Sequence, residues 1–209
     1  METLEIVAQL VALLFGMTAH EFAHAFVGHQ LGDTTAKDQG RLTINPLAHI
    51  DPIATLLLPV LLLLVGSPVV FAAARPVPFN PWALQGGRRG AALVAAAGPL
   101  TNLAIAGFVA LWLQLMPLNR VSATFLLAMV LVNVGLFVFN MIPFPPLDGS
   151  RVLYAVAPAT WREILDRIER MGFAIFLIIM LFGYQFIAPF VAKITSFITS
   201  ILIGRLGMS

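Results

Sequence analysis

The sequence has no cysteine and very little charge. Of its 209 residues, 11% are Asp, Glu, Lys or Arg, against about 25% in a soluble globular domain. Without thiols there are no disulfides, no thiolate metal sites and no cysteine nucleophile. With 59% hydrophobic residues and a mean hydropathy of +0.93, the composition excludes a water-soluble domain and belongs to a chain solvated by lipid. A basic leader region is also missing. Glu2 and Glu5 precede and enter the first apolar run, which therefore reads as a mature helix and not as a cleaved signal. Internal repeats and low-complexity segments are absent. The pI near 9.5 rests on a net charge of only +2, so the basic residues read as orientation signals and imply no nucleic-acid partner.

What is present is a series of five apolar stretches. One crossing takes about 20 apolar residues. The first stretch runs from about Leu4 to Gln30 and the second from Pro52 to Ala74, the latter broken by Pro59, Gly66 and Pro68. The third and fourth run from about Ala91 to Met116 and from Val121 to Ile142, and the fifth begins near Gly172 and is divided by Pro189. Between the first two, TTAKDQGRLTI sets β-formers around a glycine-containing turn and predicts a short hairpin. After the fourth, the prolines of PFPPLDG stop any continuous helix. Thr160 and Glu163 form a capping-box pattern ahead of Trp161, Ile164, Leu165, Ile168 and Met171, which recur at helical spacing. That pattern predicts an amphipathic helix lying at the membrane interface. The expected fold is an all-α polytopic membrane protein. It has about four full spanning helices, one re-entrant or broken hydrophobic segment, a short β-hairpin and the interfacial helix. Residues 1–209 form a single membrane-embedded domain.

The sharpest chemical signal is His20-Glu21-Phe22-Ala23-His24. On a helix, positions i and i+4 share a face, so two imidazoles can grip one metal beside a carboxylate. Zinc suits such nitrogen and oxygen ligands, and with three protein ligands it keeps a position open for water. A charge at the centre of a span costs on the order of 2–3 kcal/mol, so three ionisable groups there point to function. His29, His49 and Asp51 lie at a helix end or in a loop. Asp148 follows a spanning helix in an unwound segment, where a short carboxylate can be aimed inward. Taken alone it would also serve as the cap of the helix DGSRVLYAV. Together with the histidine pair it is the favoured third ligand.

HEFAH in an early span, AGPLTN at the start of a later one and NMIPFPPLDG at the end of the next resemble the site-2 protease family of intramembrane zinc metalloproteases. The motifs extend from about Gly16 to Val152 in the family's order. The resemblance implies one Zn2+ per chain held by His20, His24 and Asp148, with Glu21 as catalytic acid/base. It makes Asn102 a candidate for holding the substrate carbonyl or backbone, and gives Asn140 the task of ordering the unwound segment. From the residues alone, Asn102 fits an interhelical hydrogen bond equally well, and for Asn133 and Asn140 that structural reading prevails. The chain resembles a minimal form of the family, with no PDZ or CBS domain. The implied reaction is hydrolysis of a peptide bond within or near the transmembrane segment of a membrane-protein substrate. The implied setting is a prokaryotic cell membrane, with substrate spans and lipid as partners. The rival readings are a membrane metal-ion transporter and a catalytically silent scaffold for single-span proteins. A single polar cluster without repeats argues against the transporter, and the complete His, Glu and Asp set argues against the scaffold.

Convergence of these residues constrains the topology. The first and fourth stretches must end on one face, which requires Pro52 to Ala74 to enter and return on one side. That face then carries nine basic residues (Lys37, Arg41, Arg75, Arg88, Arg89, Arg151, Arg162, Arg167 and Arg170) against three, Arg120, Lys193 and Arg205, opposite. The positive-inside rule makes it cytoplasmic, with the N-terminus external.

Overall fold

The computed structural model describes residues 2–57, 64 and 74–204. Four helices among them are long and apolar enough to cross a membrane. They are α1 (Thr3–Gln30), α3 (Arg88–Leu115), α4 (Arg120–Asn140) and α7 (Phe173–Ile203). The shortest, α4, has 21 residues and so spans about 30 Å at 1.5 Å per residue, the thickness of a hydrocarbon core. Shorter elements link them. These are α2 (Thr35–Asp38), a 3-10 turn at Pro46–His49, a π-helical turn at Pro52–Leu57, α5 (Asp148–Val156) and α6 (Ala159–Arg170).

In lipid, helices associate by packing rather than by escape from water, and small residues let their backbones approach. Ala8 and Ala12 of α1 bury against Ala128 of α4, and Ala106 and Ala110 of α3 bury against Val130, Val134 and Val138. The outward faces are the reverse: Leu10, Phe15, Phe108, Phe182 and Phe186 are exposed, as spans facing acyl chains require. These contacts also fix direction. Glu2 pairs with Arg120 at one end of α1 and α4, and Gly16 lies beside Asn133 further along, so the two helices are parallel. Helix α3 is antiparallel to both, with Val94 opposite Gly28 and Asn102 opposite Gly16. The ends of α1 and α4 therefore share a face, as convergence of the site residues demands.

The connection between α1 and α3 starts and finishes on that face. Gln85 N–H donates to Leu31 O at 2.8 Å, and Arg75 N–H donates to His49 O at 2.9 Å. The ends of the second apolar stretch are thus tied together. The expected re-entrant path falls largely on residues 58–63 and 65–73 and lies outside the described residues.

Three local expectations are corrected. The hairpin expected in TTAKDQGRLTI is absent, and no strand occurs among the described residues. Asp33 instead accepts hydrogen bonds from Thr35 N–H (2.9 Å) and Thr35 Oγ1–H (2.5 Å), which turns the chain into α2. Gly40, at φ 69°, closes α2 in the left-handed conformation and sits at a helix end, not a hairpin turn. The amphipathic helix α6 does form, but Pro158 precedes it and no side-chain cap bond starts it, so the Thr160–Glu163 box is not made. Its Trp161 and Ile164, with Met171 just past its end, are exposed while Leu165 is buried. Finally, α7 continues through Pro189 to Ile203. A helix in lipid has no water to take over its backbone bonds, so one proline does not end it.

Candidate metal centre

His20 and His24 project from the latter half of α1 towards α3, where Gly98 faces them. A β-carbon on Gly98 would lie 2.5 Å from His24 Nε2, 2.6 Å from His20 Nε2 and 2.7 Å from His20 Cδ2. Glycine is what allows both rings to reach this position. Asp148 arrives from the other side. Phe139 at the end of α4 and Ile142 and Phe144 of the unwound segment pack with Leu147 against Phe176 and Met180 of α7. Gly149 then lets the backbone fold onto itself, since a β-carbon there would lie 2.3 Å from Met141 O and 2.6 Å from Ile142 O. Asp148 is the first residue of α5, and no side-chain bond caps that helix. Its carboxylate points instead at the imidazoles.

The three ligand-type atoms form a compact triangle. His20 Nε2 and His24 Nε2 are 3.0 Å apart, and Asp148 Oδ2 lies 3.1 and 3.3 Å from them. A tetrahedral zinc site with bonds of about 2.0–2.1 Å has ligand separations of about 3.3 Å. The residues therefore fit the ion. The hydrogen-bond network makes the fit chemical as well as geometric. His24 Nδ1–H donates to Val94 O at 2.7 Å. His20 Nδ1–H donates to Asn102 Oδ1 at 2.6 Å. Both acceptors are carbonyl oxygens, so each ring carries its proton on Nδ1 and turns a bare Nε2 inward. Two lone pairs and a carboxylate oxygen then converge within about 3 Å, an arrangement that a cation between them stabilises. Among the described residues this is the one group of three such side chains close enough to hold a metal.

Glu21 follows His20 and leans to the flank of the site, where its Oε2 accepts Val77 N–H at 3.0 Å. Val77 belongs to an irregular segment anchored on both sides, by Arg75 N–H on His49 O and by Asn80 N–H on Asp33 Oδ2 at 2.6 Å. Buried Arg41 donates to Ala48 O beside it and lies within electrostatic reach of Arg75, Glu21 and Asp51.

The structure thus brings together His20, Glu21, His24 and Asp148 as the sequence suggested. Asn102 is different. It is completely buried, its oxygen is taken by His20, and its amide donates to Gly16 O at 3.0 Å and Asn133 Oδ1 at 2.8 Å. These bonds join α3 to α1 and α4 and supply the interhelical reading of Asn102 that the sequence left open beside a substrate contact. Asn140 donates to Leu136 O within its own helix, at 2.9 Å. Sequence reasoning missed three contributors: the Val94 carbonyl, the Val77 amide and Gly98. The first two are backbone groups with no residue signature. The third was visible only as the glycine of AGPLTN.

Helices packed through small residues around a polar cluster, with an HExxH pair and a distant carboxylate, define a membrane-embedded protein of metallopeptidase type. The profile of peptidase family M50 matches residues 114–183. YwhC of Bacillus subtilis, whose name describes a zinc metalloprotease, is 37% identical over 179 residues, covering 81% of this chain and 78% of that protein. Rip2 of Mycobacterium tuberculosis, named likewise, is 30% identical over 172 residues, 81% of this chain and 64% of Rip2. Rip2 of Mycolicibacterium smegmatis is 28% identical over 173 residues, again 64% of its length. No solved structure gives a significant match. The chain belongs to peptidase family M50, the site-2 protease family.

Proposed function

We propose that the chain is an intramembrane zinc metalloendopeptidase of the HExxH type, cleaving a peptide bond within or near a transmembrane segment of membrane-protein substrates. The observation that carries this reading is the convergence of His20 Nε2, His24 Nε2 and Asp148 Oδ2 within 3.3 Å, at the latter part of an apolar helix. The zinc metalloprotease names of YwhC and Rip2 support the choice of ion and reaction.

His20, His24 and Asp148 would hold the zinc, which when bound supplies Lewis acidity and lowers the pKa of water from 15.7 towards about 7. Glu21 acts as general acid/base. It takes the proton from the attacking water as the oxygen adds to the scissile carbonyl, and returns it to the leaving amine as the C–N bond breaks. The Val77 N–H holds the carboxylate of Glu21 in place for this, and Asn102 and Val94 hold the imidazoles. A scissile bond in a spanning helix is shielded by its own backbone hydrogen bonds, so a substrate must unwind locally before it can be cut. The site opens nearer the face shared by the ends of α1 and α4. By its nine basic residues that face is cytoplasmic, in a prokaryotic cell membrane, with the N-terminus external.

The test is metal content and cleavage in detergent for the wild type, Asp148→Ala and Glu21→Gln. About one zinc per wild-type chain after mild chelator washing is expected, with loss in Asp148→Ala. Glu21→Gln is expected to keep the zinc and lose cleavage of a spanning-segment reporter by about 10²–10⁴-fold. Undiminished zinc in Asp148→Ala would remove it from the site, and normal turnover by Glu21→Gln would remove Glu21 from the mechanism.

A further inference from the structure

We infer that Asn133, on α4, is a positioning residue for the metal centre, acting through Asn102 to lock the tautomer of His20. The inference rests on the metalloprotease reading above. It concerns a residue some distance along a different helix, which touches neither imidazole in the hydrogen-bond network.

The argument is one of direction. Asn133 is completely buried and donates its amide to Met129 O at 2.8 Å, in the preceding turn of its own helix. That leaves its Oδ1 to accept, and Asn102 Nδ2–H donates to it at 2.8 Å. The same Asn102 nitrogen donates to Gly16 O at 3.0 Å. With its nitrogen held by two acceptors, Asn102 turns Oδ1 to His20 Nδ1 at 2.6 Å. A carbonyl oxygen only accepts, so His20 must carry its proton on Nδ1 and present an unprotonated Nε2 to a metal. Every bond in the row points the same way, from His20 through Asn102 and Asn133 to a backbone carbonyl of α4. Backbone carbonyls, which cannot flip, end the row on α1 and α4.

Without Asn133 Oδ1, the Asn102 amide loses one of the two acceptors that orient it. Rotated by 180°, it would offer an N–H to His20 Nδ1, and the proton would move to Nε2, where it excludes a metal ion. Gly16 belongs to the same device. A β-carbon there would lie 3.0 Å from Asn133 Oδ1 and 2.9 Å from Leu136 Cδ1, so glycine is what lets α4 bring its asparagine this close.

The experiment is a double-mutant cycle on zinc affinity, read by chelator competition in detergent. It compares wild type, Asn133→Leu, Asn102→Leu and the double variant, with thermal melting of each metal-free protein. Removing groups that orient a metal-binding histidine typically weakens binding about 10–100-fold. Asn133→Leu is expected to weaken zinc binding about tenfold, and Asn102→Leu at least as much. If Asn133 acts only through Asn102, the double variant binds zinc no more weakly than Asn102→Leu alone. A purely architectural asparagine would lower the melting temperature and leave the affinity unchanged. Asn133→Asp, which when neutral retains an acceptor for Asn102 and a donor for Met129, is expected to restore wild-type affinity. Gly16→Ala presses on Asn133 Oδ1 without deleting a polar group and is expected to weaken zinc binding in the same direction. It carries the test if Asn133→Leu does not fold. Cobalt substitution gives a second readout, since a displaced imidazole changes the visible ligand-field spectrum. Wild-type affinity in both Asn133→Leu and Gly16→Ala, or additive losses in the double variant, overturns the inference. A wild-type protein with no affinity for zinc overturns instead the metal reading on which it rests.

Discussion

Gly98→Ala is the most incisive perturbation the structure offers, because it adds one carbon and removes nothing. The new methyl would sit 2.5 Å from His24 Nε2, 2.6 Å from His20 Nε2 and 2.7 Å from His20 Cδ2. Non-bonded heavy atoms rest at about 3.5–4.0 Å, so both rings, or α3 itself, must give way by about 1 Å. Metal–ligand distances tolerate about 0.2 Å, several-fold less than the required shift. Neither ring can yield freely, since His20 is tied to Asn102 and His24 to the Val94 carbonyl, on the same helix that carries residue 98. Zinc affinity is therefore expected to fall by at least about 100-fold, the upper end of what displaced orienting groups cost. Over-packing of this kind costs about 1–3 kcal/mol of stability, so the metal-free variant should still fold. The assay is zinc affinity by chelator competition, beside circular dichroism and melting of the metal-free protein. Gly135→Ala is the control. Beyond the adjacent backbone of its own helix nothing lies within 4 Å of its added carbon, and it should keep full zinc affinity while gaining up to about 1 kcal/mol of helix propensity. A Gly98→Ala protein that binds zinc like the wild type would mean that α3 does not bring Gly98 against the two imidazoles, and the site would have to be rebuilt.

Further outcomes follow from the loop that frames Glu21 and from the topology. Asp33→Ala strips the acceptor from Thr35 N–H and Asn80 N–H, and is expected to lower stability by about 2 kcal/mol, read by thermal melting in detergent. Burial raises the pKa of the Asp33 carboxyl, but the hydrogen bonds from Thr35 and Asn80 outweigh it and hold the group below its ordinary value. Its contribution is therefore complete above the unfolded value of about 3.9 and is lost as pH falls from there through the folded value. The deficit of Asp33→Ala should accordingly shrink below about pH 4, and a constant deficit across that range would refute the assignment. For topology, the lack of native cysteine makes single-cysteine labelling free of background. Cysteines at Gln85 and Asp166 are expected to react from the cytoplasmic side and one at Asn119 from the outside. Labelling of position 85 from outside would sink the orientation.

How much of this was legible in the sequence depended on what kind of information each feature needs. The spans needed only a count of apolar residues, and α1, α3 and α4 begin and end within a few residues of their expected limits. The pairing of His20 with His24 needed only the helical period. Joining them to Asp148 needed more, because 128 positions separate Asp148 from His20. What linked them was the unwound proline-rich segment that carries Asp148 and the order of the family motifs, and from that convergence followed the condition that α1 and α4 end on one face. Where local pattern was read without its surroundings, it failed. TTAKDQGRLTI sets β-formers around a glycine as a hairpin does, yet Asp33, which precedes it, bonds Thr35 and starts a helix. Asn102 was ambiguous for a deeper reason. A buried amide in a span can face a substrate or another helix, and the choice turns on which partners lie within 3 Å. Here they are Gly16 O, Asn133 and His20, contributed by two other helices. The same holds for Val94 O and Val77 N–H, which hold His24 and Glu21 through the backbone and leave no mark on residue identity. The sequence names the groups proposed to meet the metal and the water. The groups that aim them are mainly amides, carbonyls and glycines, whose roles exist only once the helices are packed.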